Sequence, residues 1–196
     1  MHASNAEWLS QRYARLFASR KVDAFDFECL SGWTWLIDAA LQLLSSRAET
    51  QRLNLHVMQI KEKFGALRIY HHGGDACIEA ICDIAERISE NVCEVCGEPG
   101  INLSTHDWLS TRCELHRKGS SDTPRGIWRA GYHGHGLAMS ICQVINFFGE
   151  PRLAVQWCHT PLMALNGARP CELLGTLSGR VEITTLLGRL SHGALP

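Results

Sequence analysis

Four residues carry the clearest chemistry in this chain. "CEVCGEPG" supplies Cys93 and Cys96, and "CELH" supplies Cys113 and His116 after sixteen intervening residues. Two residues between ligands let a tight knuckle present both to one ion, and Gly97 lets the backbone amides turn toward the thiolate sulfurs. Three thiols and an imidazole make a soft, tetrahedral set that leaves no coordination position open. The expected ion is therefore structural rather than catalytic, and Zn2+ is its natural identity. A redox CxxC pair is the competing reading. It wants an exposed helix N-terminus to lower a thiol pKa, whereas this pair follows a helical pattern and enters a turn, and it leaves the second pair unexplained.

The remaining reactive side chains point to no second centre. "HHGGD" at His71 to Asp75 and "HGH" at His133 to His135 have no cysteines or carboxylates nearby at ligand spacing, so they read as loop histidines. Cys29, Cys77, Cys82, Cys142, Cys158 and Cys171 sit in helical patterns or among apolar neighbours and read as packed thiols. Nine cysteines in all, an odd number scattered through helical patterns, make a poor disulfide framework. No nucleophile elbow, phosphate loop, dinucleotide fingerprint or HExxH motif occurs, so no catalytic or cofactor-binding residue is assigned and the protein reads as non-enzymatic.

The elements that must position the four ligands are legible as periodic patterns. Trp8, Tyr13, Leu16 and Phe17 suggest a first amphipathic helix. "SGWTWLIDAALQLLSS" suggests a stronger one, with Ser31 as its cap and Trp33, Leu36, Ile37, Ala40, Leu41 and Leu44 on one face. "RLNLHVMQI" and "ALRIYHH" alternate as two strands joined through "KEKFG", with Gly65 free to take a positive φ. Asp75 should cap a helix that buries Ile78, Ile81, Ala85 and Ile88 just before the knuckle.

From Arg117 to Arg125, "RKGSSDTPR" is polar and aperiodic, which places a domain boundary there. Beyond it the chain reads as short helices. Pro151, Pro161 and Pro170 each suit a first helical position, Thr160 would cap the second of these helices, and Asn166-Gly167 would end it in a left-handed turn. A last helix begins near Ser178 and runs through Val181, Ile183, Leu186, Leu187 and Leu190 to Gly193. The expected fold class is an α+β N-terminal domain with a structural zinc knuckle (domain 1–120, knuckle 93–116), followed by an all-α C-terminal domain of short helices (127–196).

Composition narrows the partners. The chain has 196 residues, a 45% hydrophobic fraction and a formal net charge of -1, so it reads as globular without a global basic field for nucleic acid or membranes. No uncharged apolar run approaches a bilayer's thickness, so a cytoplasmic protein without a membrane partner is expected. Arg112, Arg117, Lys118, Arg125 and Arg129 give the linker region a local positive excess. They keep open an alternative, a zinc-knuckle regulator that binds nucleic acid. Self-association as a homo-oligomer also stays open.

The run Ala154 to Gly193 resembles the toxin-binding domain of the MbcA/ParS/Xre antitoxins. That pattern is a tryptophan-containing helix, a Pro-x-x-x-Leu segment, Gly-x-x-Pro-x-x-Leu-Leu, then a Gly followed by a helix ending in Leu-Gly-Arg and a closing Gly. Here those positions are Trp157, Pro161, Leu165, Gly167, Pro170, Leu173, Leu174, Gly179, Val181, Leu186, Leu187, Gly188, Arg189 and Gly193. The resemblance implies an antitoxin that neutralises a RES-domain toxin, an NAD-consuming enzyme. Trp157, Pro161, Leu165, Gly167, Pro170, Leu173, Leu174, Gly179, Leu187, Arg189 and Gly193 are the implied partner-binding positions, and the tail "SHGALP" can reach the toxin's active-site entrance. The family usually carries a helix-turn-helix region ahead of this domain, and residues 1–116 do not read as one. Through "GWTWLIDAAL", "IKEKFGALRIYHHGG", "CEVCGEPG" and "CELH" the N-terminal half resembles instead an uncharacterised family of phage and bacterial proteins.

Overall fold

The computed structural model of the chain describes residues 1–17, 25–105, 108–117 and 130–193. Helix α2, Thr34–Gln51, is its axis. The expected face of Trp33, Leu36, Ile37, Ala40, Leu41 and Leu44 is buried, and so are Thr34, Trp35, Asp38 and Ala39. A helix start buried all round must be covered from several sides. Helix α1, Ala3–Arg12, covers one of them, tied down where Asn5 Nδ2 donates to Thr34 Oγ1 at 2.9 Å. The Tyr13 hydroxyl donates to the Asp38 carboxylate at 2.6 Å, and burial pushes the Asp38 carboxyl above its ordinary range. Ser31 is not the cap that its position suggested. A 3-10 turn, Ser31–Trp33, precedes α2, and the Ser31 hydroxyl accepts from the His2 N–H at 2.9 Å instead.

Strands β1 (Phe27–Glu28), β2 (His56–Lys63) and β3 (Ala66–His72) form one sheet, with β1 parallel and β3 antiparallel to β2. The hairpin turn is shorter than "KEKFG". Lys61 to Lys63 belong to β2, and only Phe64 and Gly65 turn, with φ of 57° and 77°. Two positive φ values in a two-residue loop match the right-handed twist of the strands they join.

Helix α3, Ala76–Ser89, is capped as expected. Asp75 Oδ1 accepts from the Cys77 and Ile78 N–H groups at 3.1 Å, while Arg47 on α2 donates to Oδ2 at 2.7 and 2.9 Å. Ile78, Ile81, Ala85 and Ile88 are buried. A second hairpin, β4 (Ile101–Thr105) with β5 (Trp108–Arg112), lies between the two ligand pairs and was not anticipated.

Beyond the expected boundary, whose residues from 118 on lie outside the described set, come four helices: α4 (His135–Phe148), α5 (Pro151–His159), α6 (Pro170–Leu174) and α7 (Leu177–Ser191). Two are short, but α4 and α7 have 14 and 15 residues. Pro151 and Pro170 open α5 and α6 as expected. Thr160 and Pro161 do not open a helix: Thr160 closes α5, its hydroxyl donating to the Gln156 carbonyl at 2.8 Å, and the chain stays extended until a 3-10 turn at Met163–Leu165. The hydroxyl served the helix behind it rather than the one ahead. Asn166 and Gly167 do take the left-handed conformation, at φ 56° and 82°. Thr176 caps α7, its hydroxyl accepting from the Gly179 N–H at 3.0 Å.

Helix α4 packs on α2, α5 and α6 pack on α3, and α7 packs on α4. The buried side chains of both halves form one continuous cluster, from Leu9 through Leu36, Ile84 and Leu137 to Leu187. Among the described residues no helix is long and apolar enough to cross a membrane.

Candidate functional site

Cys93, Cys96, Cys113 and His116 converge. One donor atom from each lies within 4.8 Å of the other three, so the group could hold a metal ion. Cys96 Sγ is 3.7 Å from Cys113 Sγ, and His116 Nδ1 is 3.6 Å from Cys93 Sγ and 3.1 Å from Cys113 Sγ. Chain geometry explains the convergence. The Gly97 N–H donates to the Cys93 carbonyl at 2.8 Å, closing the CxxC turn, and Gly97 takes φ +77°. On the other side Cys113 leads into a 3-10 turn, Glu114–His116, in which the His116 N–H donates to the Cys113 carbonyl at 3.0 Å. The β4–β5 hairpin brings the two turns together.

The knuckle is bonded to the helical core at several points. The Trp33 indole N–H donates to the Val92 carbonyl at 2.8 Å, and the Gly32 N–H to the Glu94 carbonyl at 2.8 Å. Thr111 Oγ1 donates to the Gly65 carbonyl at 2.7 Å, which joins the second hairpin to the turn of the first. Val92, Cys93 and Val95 are buried. Burial pushes the Cys96 thiol up to about 12. Burial also acts upward on Cys113, but hydrogen bonds from the Cys96 and Cys93 thiols and from the His116 and Leu115 N–H groups hold it below its ordinary value. A thiol with a lowered pKa gives up its proton readily to an arriving cation.

The histidines set aside in the sequence are not all in open loops. His71 and His72 end β3, and His71 Nδ1 is 2.9 Å from the Gly73 carbonyl oxygen. His133 lies in a π-helical turn, Ala130–Gly134, with its ring edge-on to Trp35 at 6.5 Å, and His135 opens α4. The thiols of Cys29, Cys158 and Cys171 are buried, and burial raises Cys82 and Cys158 to about 12 and Cys171 to about 11. Near the knuckle, Arg112 pairs with Glu94 at 3.5 Å and Arg117 with Glu114 at 3.1 Å. Lys118, Arg125 and Arg129 lie outside the described residues.

In the C-terminal helices, the positions expected to meet a partner divide into two sets. Leu165, Pro170, Leu174, Gly179 and Leu187 are buried, and Leu173 and Trp157 are half-buried, the Trp157 ring 5.5 Å from Phe148. Pro161, Gly167, Arg189 and Gly193 are exposed. Periodicity placed Val181 in the apolar series of the last helix, yet it is exposed; Leu153, Leu177 and Met163, which is 93% exposed, also reach water, and none of these three was singled out. Leu177 and Val181, four apart, share one face of α7. Arg180, on another face, is only 4% exposed; it donates to the Leu174 carbonyl at 3.1 Å and lies 3.5 Å from His133 Nδ1. The residues that look alike in sequence thus split into an inner scaffold and an outer apolar surface.

Residues 143–193, from within α4 to the end of α7, match the family described as the antitoxin Xre/MbcA/ParS C-terminal toxin-binding domain. The match begins further upstream than the motif itself. Antitoxin Xre of Yersinia enterocolitica serotype O:8 is 40% identical over 47 residues, 24% of this chain and 32% of that protein. The chain thus spans about a third of the length of the curated relative it matches. No solved structure matches the chain.

Proposed function

We propose that this protein is an antitoxin that acts by binding rather than by catalysis, and that its C-terminal helices hold and neutralise a RES-domain, NAD-consuming toxin. The similarity of residues 143–193 to a toxin-binding domain carries this reading. The division of its apolar residues supports it. Met163, Leu177 and Val181 are exposed, and apolar side chains beside a well-packed scaffold suit a protein partner. The buried Leu165, Leu174 and Leu187 hold the scaffold; Leu153, Met163, Leu177, Val181 and the exposed Arg189 meet the partner.

The ion at the knuckle is Zn2+ in a structural role, held by Cys93, Cys96, Cys113 and His116. A tetrahedron with Zn–S arms of about 2.3 Å places two sulfurs about 3.8 Å apart, and a Zn–N arm of about 2.0–2.1 Å places nitrogen about 3.6 Å from sulfur. The 3.7 and 3.6 Å separations agree with those values, while the 3.1 Å between Cys113 Sγ and His116 Nδ1 is shorter, so that pair must open slightly around an ion. Four protein donors leave no position for water or substrate.

Co-expression tests the antitoxin reading. A RES-domain toxin encoded beside this reading frame should be retained on the tagged protein, and growth should be restored. Val181→Asp should break the complex while the variant stays folded. Toxicity unchanged by the protein, with no complex on copurification, would sink the proposal.

A further inference from the structure

We infer that metal binding at the knuckle braces the corner between α6 and α7, so that metal occupancy governs how the toxin-binding surface is presented. The brace follows from contacts within the chain; only the meaning of the braced surface rests on the antitoxin reading.

Two routes run from the ligands to that corner. The first is direct. Val92, which immediately precedes Cys93, is buried, and its side chain lies 3.2 Å from where a Cβ on Gly175 would sit. Gly175 separates α6 from α7 and has φ −65°, which any residue can adopt, so a side chain there is opposed by space and not by backbone conformation: Val92 would have to give by a few tenths of an ångström. Val92 has little freedom of its own, because it bridges to Pro99 across the knuckle and its carbonyl accepts from the Trp33 indole. The second route passes through α2. A Cβ on Gly97, next to Cys96, would lie 2.8 Å from Trp35 Nε1; Trp35 meets the His133 ring, His133 approaches Arg180, and Arg180 donates to the Leu174 carbonyl. Both routes end at Leu174–Gly175.

An ion shared by four donors fixes Cys93 relative to Cys113 and so adds a further restraint on Val92 to those from Pro99 and Trp33. Close-packed interiors pass such a displacement on rather than absorbing it. Coupling of this kind is reciprocal: if the metal seats the corner, a disturbed corner must weaken the metal.

Zn2+ affinity of the full chain, measured by competition with a chromogenic chelator, tests this. Gly175→Ala and Arg180→Gln should each weaken Zn2+ binding by about 5-fold or more. Val181→Ala, on the exposed face of α7, should leave it within about twofold of wild type, because it disturbs neither route. Unchanged affinity in both corner variants, each folded by circular dichroism, overturns the brace. Amide exchange on the unsubstituted protein supplies the reverse measurement. Chelation should lower the protection of Leu173 to Gly179 by about tenfold while α1 keeps its own. Loss confined to the knuckle, or spread evenly along the chain, overturns it as well. A wild-type chain that takes up no Zn2+ removes the metal assignment and the brace together. Intact coupling without toxin capture leaves the brace standing and removes the antitoxin reading alone.

Discussion

The knuckle and the C-terminal helices hold short stretches of chain in opposite ways. Among the described residues between Val92 and His116 few large apolar side chains are buried, and order comes from four convergent donors and a set of backbone hydrogen bonds. Between His135 and Ser191 there is no such donor cluster, and order comes from Leu137, Ile141, Val144, Leu165, Leu174, Ile183 and Leu187 packed against α2, α3 and one another. A cross-link is localised and can be removed in one step. Buried area is distributed and can only be worn away residue by residue.

Breaking that contrast from its strong side gives the largest effect. With free Zn2+ a thousandfold above its Kd, the ion should contribute about 4 kcal/mol. Calorimetry with and without chelator should show that loss, and Cys113→Ser with His116→Ala should reproduce it without chelator. In the helical region, Leu174→Ala, at a fully buried position, should cost about 2–5 kcal/mol in denaturant unfolding, with bound metal reduced only as far as the α6–α7 corner shifts. Thr176→Ala removes the cap of α7 and should cost about 1 kcal/mol, read as a small fall in the thermal midpoint.

The smallest effect is a pH dependence. Burial pushes Asp75 up, but the Arg47 guanidinium and the Ile78 and Cys77 N–H groups more than offset this and leave its carboxyl below the ordinary value. Its contribution is therefore complete above the unfolded carboxylate pKa of about 3.9 and is lost as the pH falls through the lower folded value. Asp75→Asn keeps a good cap and loses only the partly exposed ion pair, worth about 0.2–1 kcal/mol. The variant should thus be slightly less stable at pH 7 and approach wild type as the pH falls below the folded Asp75 value, as measured by urea unfolding. Asp75→Ala, which also loses the cap, should remain destabilised in both conditions.

Local devices were legible in the sequence and long-range ones were not. Asp75, Pro151, Pro170 and Asn166-Gly167 act on backbone within four residues of themselves, so their neighbours sufficed to read them. Each candidate ligand pair is local in the same sense, since it spans one turn. Ser31 and Thr160 were misread because a hydroxyl can serve either neighbour: one went to His2, the other back into its own helix. β1 is two residues whose pairing partner lies some thirty positions away, and β4–β5 is a short hairpin inside the spacing that had been read only as a ligand interval. A hydrophobic stripe announces that it will be buried and not by what, so the packing of α5 and α6 on α3 and the outward turn of Val181 were beyond pattern reading.

The sunken cysteines of the helices have a use at the bench. Thiols held at about 11 to 12, such as Cys82, Cys158 and Cys171, are almost wholly protonated at neutral pH, and an alkylating reagent attacks only the thiolate. They form a slow background that chelation should leave unchanged. A maleimide time course, run before and after chelation, should therefore show its change at Cys113, whose thiol is held below its ordinary value, without any label being engineered into the chain.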